Sequence, residues 1–294
     1  PQAFWDLLRR GIDPIGPVPP GRWPGRADDL PALGGFLADC ESFDAAFFEI
    51  TPREAAAMDP QHRLLLEVAW EALEDAAIAP DRLAGSRTGV FVGLATNDFA
   101  ARSRTAAVDR FYGSGTSPAV AAGRIAYFLD LKGPCLTIDT ACSSSLAALH
   151  LAVRALRDGE CDLALVGGVS LMLAGDLSRS FAQAGMLAPD GRCKAFDARA
   201  DGYGRSEGCA VVVLRRRSDA VAAGDRILSI DGQEVASWSD ARWRLMDVMA
   251  TGGLTLEEIA ERLGYGEVSN FIHAFKRWKG VAPRQFQRTA GDGV

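Results

Sequence analysis

The sequence lacks any run of apolar residues long enough to span a bilayer, and it carries no signal-peptide pattern. No membrane partner is expected. The six cysteines (Cys40, Cys135, Cys142, Cys161, Cys193 and Cys209) have neither metal-ligand nor disulfide spacing. A reducing, cytoplasmic setting is the reading, with no bound metal or cofactor. There is no basic excess either: the net charge is −6, which gives no global nucleic-acid signature. Histidine is scarce, with only His62, His150 and His273. What is there is a chain of 294 residues, 48% hydrophobic and 24% charged, a globular composition with room for one large domain or two ordinary ones.

Residues 133–168, GPCLTIDTACSSSLAALHLAVRALRDGECDLALVGG, read as strand, tight turn, helix and strand. Residues 135–139 alternate apolar and polar side chains, and 140–145 are all small. Leu146, Leu149, Val153 and Leu156 recur at helical spacing and predict one apolar face, opposite Arg154, Arg157 and Asp158. Gly159 ends the helix, and 162–169 returns as a buried strand. Cys142 falls at the strand-to-helix turn. The unpaired N–H groups and partial positive charge of a helix N-terminus favour thiolate over thiol and so a nucleophilic sulfur. The N–H of Cys142 itself is placed to meet an oxyanion. An isolated cysteine favours the reading of a buried structural residue; the DTACSSSL context reverses that in favour of the nucleophile.

The flanks read as follows. Residues 4–11 open as a helix, and 13–31 form a Pro/Gly/Arg loop. Thr51-Pro52-Arg53-Glu54 is a capping box with proline at the first helical position, and Asp59-Pro60 starts a second helix. Leu64, Leu65, Val68, Ala72 and Ala76 mark its buried face, and His62 in its first turn reads as structural or exposed. Residues 88–94 are a buried strand. GSGTSP is a flexible start to a helix ending near Leu129. His150 lies two helical turns from Cys142, about 12 Å by helical rise, and reads as a packing residue. Residues 186–207 form a polar, glycine-rich loop with Asp190, Arg192, Lys194, Asp197, Arg199, Asp201 and Arg205, none of them fixed as a substrate contact. Residues 209–214 read as a buried strand, 218–223 as a short helix.

DTACSSSLAALHLAVRALRDGECDLALVGGVSLML resembles the nucleophile region of β-ketoacyl synthases, specifically ketosynthase domains of modular polyketide synthases. FFEITPREAAAMDPQHRLLLEVAWEALEDA, GSGTSPAVAAGRIAYFLDLKGP and MLAPDGRCKAFDARADGYGRSEGCAVVVL extend the likeness over about 1–228, in order. The resemblance implies a thiolase-like layered α/β fold, here incomplete. It implies that Cys142 takes an acyl group and condenses it with a decarboxylating malonyl-type extender, both arriving on phosphopantetheine of an acyl carrier protein. Thr116, Thr140, Ala141 and Ser143 become substrate-channel candidates. A homodimer through the strand before Cys142 is expected. Two histidines and a lysine from the family's C-terminal half have no counterpart here, so condensation is expected to be impaired.

GDRILSIDGQEVASWSDARWRLM resembles the later strands and helix of a site-2-protease-type PDZ domain, over 224–248, without the carboxylate-binding loop. LTLEEIAERLGYGEVSNFIHAFKRWKGVAPRQFQR, within 253–288, resembles the second helix-turn-helix of AraC-type regulators. Thr255 caps its first helix, and Phe271, Ala274, Phe275 and Trp278 form a stripe at helical spacing. Ser269, Asn270, His273, Lys276 and Arg277 fall off that stripe and are the DNA-contact candidates. The function expected first is acyl transfer and carbon–carbon bond formation. A DNA-binding regulator and a non-catalytic chimeric chain are the alternatives.

Overall fold

A computed structural model describes residues 2–23, 30, 32–103, 109–216 and 218–219, then 229–230, 233–234, 255–262, 268, 271–272, 275–276 and 283. In chain order its helices and strands are α1 Gln2–Arg9, β1 Ile15–Pro17, β2 Leu33–Gly35, α2 Pro52–Ala57, α3 Pro60–Asp75, β3 Thr88–Gly93, α4 Asp98–Ser103, α5 Tyr112–Thr116, α6 Val120–Phe128, β4 Cys135–Ile138, α7 Ser144–Arg157, β5 Leu163–Ser170, α8 Asp176–Gln183, β6 Gly208–Arg215, β7 Ser229–Ile230, β8 Gln233–Glu234 and α9 Leu256–Arg262. Among the described residues no helix is long and apolar enough to cross a membrane.

Strand periodicity builds the layers. The central sheet runs β4-β3-β5-β6, parallel except for the antiparallel β5–β6 pair. Val90 and Val92 of β3, with Leu163, Leu165 and Val169 of β5, face one way and pack with Leu65, Leu66, Ala69 and Leu73 of α3 and Ala121, Ala122 and Ile125 of α6. The intervening residues, Phe91, Ala164 and Val166, face the other way, onto Ala148, Ala152 and Ala155 of α7. The result is helix, sheet, helix, with α7 on the side of Cys142.

Side-chain caps form at Thr51 and Asp59. Thr51 accepts from the Glu54 amide at 3.3 Å, and Asp59 from the Gln61 amide at 2.8 Å. Elsewhere the structure departs from the sequence expectations. The 13–31 loop contains β1, which pairs with β2 in an antiparallel ribbon. GSGT is not a flexible loop but the end of α5, where Thr116 Oγ1 donates to the Tyr112 carbonyl at 2.7 Å and the Asp59 amide donates to the Gly115 carbonyl at 2.8 Å. Glycine is required at 115, because a Cβ there would run into the Ala57 carbonyl. The face of α7 against the sheet is the expected one only in part: Leu156 is buried there with Ala148, Ala152 and Ala155, and Leu149 packs against them, but Leu146 is 68% exposed. His150 is solvent-exposed rather than packed. Strand β6 is covered by α3 on the Cys209, Val211 and Val213 side only, so Val212 on its other side is 49% exposed rather than buried. His62 takes the structural alternative expected of it: it is buried with neither ring nitrogen hydrogen-bonded, and burial, with Arg124 adding, pushes its imidazole down to about 4. Of the predicted 218–223 helix only residues 218–219 are described.

The C-terminal segment adds two features. β7 and β8 form a short antiparallel hairpin. Helix α9 opens with a reciprocal box: Thr255 Oγ1 accepts from the Glu258 amide at 3.2 Å, and Glu258 Oε2 accepts from the Thr255 amide at 2.7 Å. Leu256, Ile259, Ala260, Phe271 and Phe275 are buried in the same apolar cluster as the α3 and α6 side of the sheet.

Candidate active site

The chain reaches the site along β4 and reverses sharply. Asp139 follows the strand, Thr140 sits at φ −129° and ψ 35°, and Ala141 takes a left-handed φ of 55°. A single turn of 3-10 helix, Ala141–Ser143, then runs into α7. Cys142 is in that turn, exposed, ahead of the helix N-terminus. Two glycines let the turn press onto the sheet. A Cβ on Gly93, at the end of β3, would lie 2.5 Å from the Ser145 nitrogen, and one on Gly168 would lie 2.9 Å from the Ser145 Cβ.

In front of Cys142 lies an open cleft of about 850 Å³. Its floor is Gly167, Gly168 and Ser170 of β5 with Ala210 and Val212 of β6. One wall is the start of α7, with Leu146 and Leu149; the other is Leu177 and Phe181 of α8 with Tyr203 and Arg205. The Phe181 and Tyr203 rings are 6.5 Å apart, and the Arg205 guanidinium lies 5.4 Å from the Phe181 ring centre. Arg205 Nη1 donates to Ser178 Oγ at 2.6 Å. Burial pushes the Tyr203 hydroxyl up; Arg205 opposes this and Cys142 adds to it. Behind the wall the buried Glu207 pairs with Arg22 and accepts from the Leu37 amide at 2.9 Å and the Met172 amide at 2.8 Å. That carboxylate ties three segments to the base of the cleft.

Of the channel candidates, Ala141 lines this cleft. Thr140 and Ser143 face each other across the turn, with Ser143 Oγ donating to Thr140 Oγ1 at 2.9 Å. Thr116 is buried and lies away from the cleft lining, because its hydroxyl is turned back onto α5. Tyr203, Phe181 and Leu177 escaped the sequence reading, which looked for charge in the 186–207 loop; the aromatic residue in DGYGRSEG was the available signal. The other thiols differ from Cys142 in environment. Burial pushes Cys40, Cys135 and Cys161 up, and takes Cys209 up to about 12. Exposed Cys193 accepts from the Gly204 amide at 3.4 Å. Lys276 is exposed, whereas Ser269, Asn270, His273 and Arg277 lie outside the described residues.

Comparison with known proteins fits this geometry. The family model described as "Beta-ketoacyl synthase, N-terminal domain" matches residues 1–220, and one for a helix-turn-helix domain matches 239–289. The second match begins inside the stretch read as PDZ-like, so 239–248 goes with the helical unit instead. A phenolphthiocerol/phthiocerol polyketide synthase of Mycobacterium tuberculosis is 52% identical over 242 residues, 78% of this chain and 13% of that protein. A mycocerosic acid synthase-like polyketide synthase of Mycolicibacterium smegmatis is 52% identical over 244 residues, 78% of this chain and 12% of its own length. Among solved structures, an oxazolomycin ketosynthase domain from Streptomyces albus has a TM-score of 0.69 at 42% identity, covering 77% of this chain and 42% of that one. The module 6 ketosynthase of the Bacillus subtilis bacillaene synthase has a TM-score of 0.69 at 39% identity, covering 90% of this chain and 45% of its own. The chain thus spans less than half of those ketosynthases. Its α/β fold is the thiolase-like arrangement expected from the sequence, present as the N-terminal portion and followed by a small helical segment. Matched by the synthase model along residues 1–220, the chain belongs to the β-ketoacyl synthase family.

Proposed function

We propose that Cys142 is an acyl-accepting nucleophile, and that these 294 residues perform the acyl-transfer half of a ketosynthase reaction. The observation that carries this reading is an exposed cysteine thiol ahead of a helix N-terminus, at the edge of a large cleft. Attack by the thiolate on an acyl thioester forms a new thioester on Cys142 and releases the carrier thiol. The phosphopantetheine arm of an acyl carrier protein is the proposed donor. Ala141 and the Tyr203, Phe181 and Leu177 wall are the proposed channel. Competition labelling with iodoacetamide near neutral pH is expected to modify Cys142 before the other five cysteines. Faster labelling of Cys193 in the folded protein contradicts this.

The proposed homodimer uses the free edge of β4, where Leu136 is 44% exposed. Pairing that edge with its two-fold mate removes an unpaired strand from solvent. Sedimentation is expected to show dimers at high micromolar concentration, weakened by Leu136→Lys; a strict monomer overturns the proposal.

DNA binding by the C-terminal unit is a second reading, favoured by the helix-turn-helix match and exposed Lys276. It predicts DNA retention that falls with salt and weakens in Lys276→Ala; salt-independent or absent retention removes it. To the 224–238 stretch we assign no binding role, and we place the switch between units within 224–228.

A further inference from the structure

We infer that Ser144, helped by Asp139, is a positioning residue that holds the Cys142 turn in its reversed conformation; this rests on the reading of Cys142 as the nucleophile. The starting point is Ala141. A left-handed φ at a residue with a Cβ is disfavoured, because that Cβ crowds the following carbonyl oxygen, and it persists only where the surroundings over-determine it.

Both polar groups of Ala141 are held by side chains. Its N–H donates to Asp139 Oδ1 at 2.9 Å, and its carbonyl accepts from Ser144 Oγ at 2.6 Å. The same Ser144 oxygen accepts from the Thr140 amide at 2.9 Å. One hydroxyl therefore uses its single proton on one side of the reversal and a lone pair on the other. Ser144 is buried, at 5% exposure, although Asp139, Thr140, Ala141, Cys142 and Ser143 are all exposed.

A capping role is the ordinary use of serine at a helix start. Here neither Thr140 nor Ser143, the two residues in N-cap position, makes a side-chain cap. Ser143 and Ser144 instead turn back onto Thr140 and Ala141, with Ser143 Oγ 2.9 Å from the Thr140 carbonyl. The reversal sends Cys142 out to the cleft while Ser144, two residues on, goes into the body of the protein.

The test uses the whole chain and measures the second-order alkylation rate of Cys142 by peptide mass mapping. Ser144→Ala removes the hydrogen bonds on both sides of the reversal and is expected to slow Cys142 by about ten-fold while the melting curve stays cooperative. Adding Ala141→Gly is expected to bring the rate back to within about three-fold of the parent, because glycine takes the left-handed conformation unaided. A purely structural serine gives no such rescue. The inference is overturned if Ser144→Ala reacts at the parent rate, or if the double variant stays as slow as the single one. Hydrogen exchange of the Thr140 and Ala141 amides reads the same latch without chemistry or variants. Protection at both is expected, and free exchange at both overturns the inference even if Ser144→Ala fails to fold. Protected amides beside an unreactive Cys142 would instead mean that the nucleophile reading is the one that failed.

Discussion

Offered an acyl thioester and a malonyl-type extender on carrier protein, these 294 residues are expected to stop at the acyl-enzyme. Decarboxylation builds enolate charge on the extender's thioester oxygen, and that charge needs preorganised donors. The family resemblance implies two histidines for this task, and neither of the two histidines among the described residues is placed for it. His62 is buried in the first turn of α3, which packs on the sheet face opposite α7, and His150 is exposed on α7, two turns past Cys142. His273 lies outside the described residues, in the stretch matched by the helix-turn-helix model. No histidine lines the cleft among the described residues. Loss of one oxyanion donor costs on the order of a hundred- to a thousand-fold in rate, and loss of both costs more. Mass spectrometry of the mixture should therefore find acyl-enzyme with β-ketoacyl product below about a thousandth of a complete ketosynthase's rate. Many turnovers per minute, abolished by Cys142→Ala, would show that another group supplies the missing donors.

The second large effect is expected from a single methyl group. Gly93→Ala places a Cβ 2.5 Å from the Ser145 nitrogen, 2.6 Å from the Ser144 carbonyl carbon and 2.7 Å from the Ser145 Cα. All three are backbone atoms, so no side chain can rotate to make room. The end of β3 and the start of α7 must part, and overpacking of this kind costs roughly 1–3 kcal/mol or more. Because the displaced atoms lie two and three residues after Cys142, its alkylation should slow along with the loss of stability. Gly123→Ala is the control: nothing lies within 4 Å of its Cβ position in α6, and alanine is the better helix former there by about 0.5–1 kcal/mol. A Gly93→Ala variant that melts and reacts like the parent, beside a destabilised Gly123→Ala, would contradict this packing.

The turn at Cys142 was legible because its signals are local: alternation along 135–139, a run of small residues and a helical period after them. The same local reasoning placed the face of α7 only in part. Hydrophobic periodicity assumes that the largest apolar residues point inward; Leu156 does, beside Ala148, Ala152 and Ala155, but Leu146 is left facing the cleft. Strand β1 was hidden in a Pro/Gly stretch because its pairing with β2 is set by a partner farther along the chain. Helix α5 was hidden because GSGT has low helical propensity and is held by tertiary contacts, including the Asp59 amide. Tyr203 carries no periodic signal at all. It reaches the cleft because its backbone is clamped between Met186 and Ala188, each bond 3.0 Å long.

The central claim is that Cys142 accepts an acyl group, and the most direct measurement is the site of acylation. The intact chain is incubated with an acyl thioester, digested, and mapped by peptide mass. The expected result is one acyl group per chain, on the peptide carrying Cys142, released by hydroxylamine as a thioester should be and absent in Cys142→Ala. Acyl groups spread over Cys193 and surface lysines, or unchanged acylation in Cys142→Ala, would contradict it.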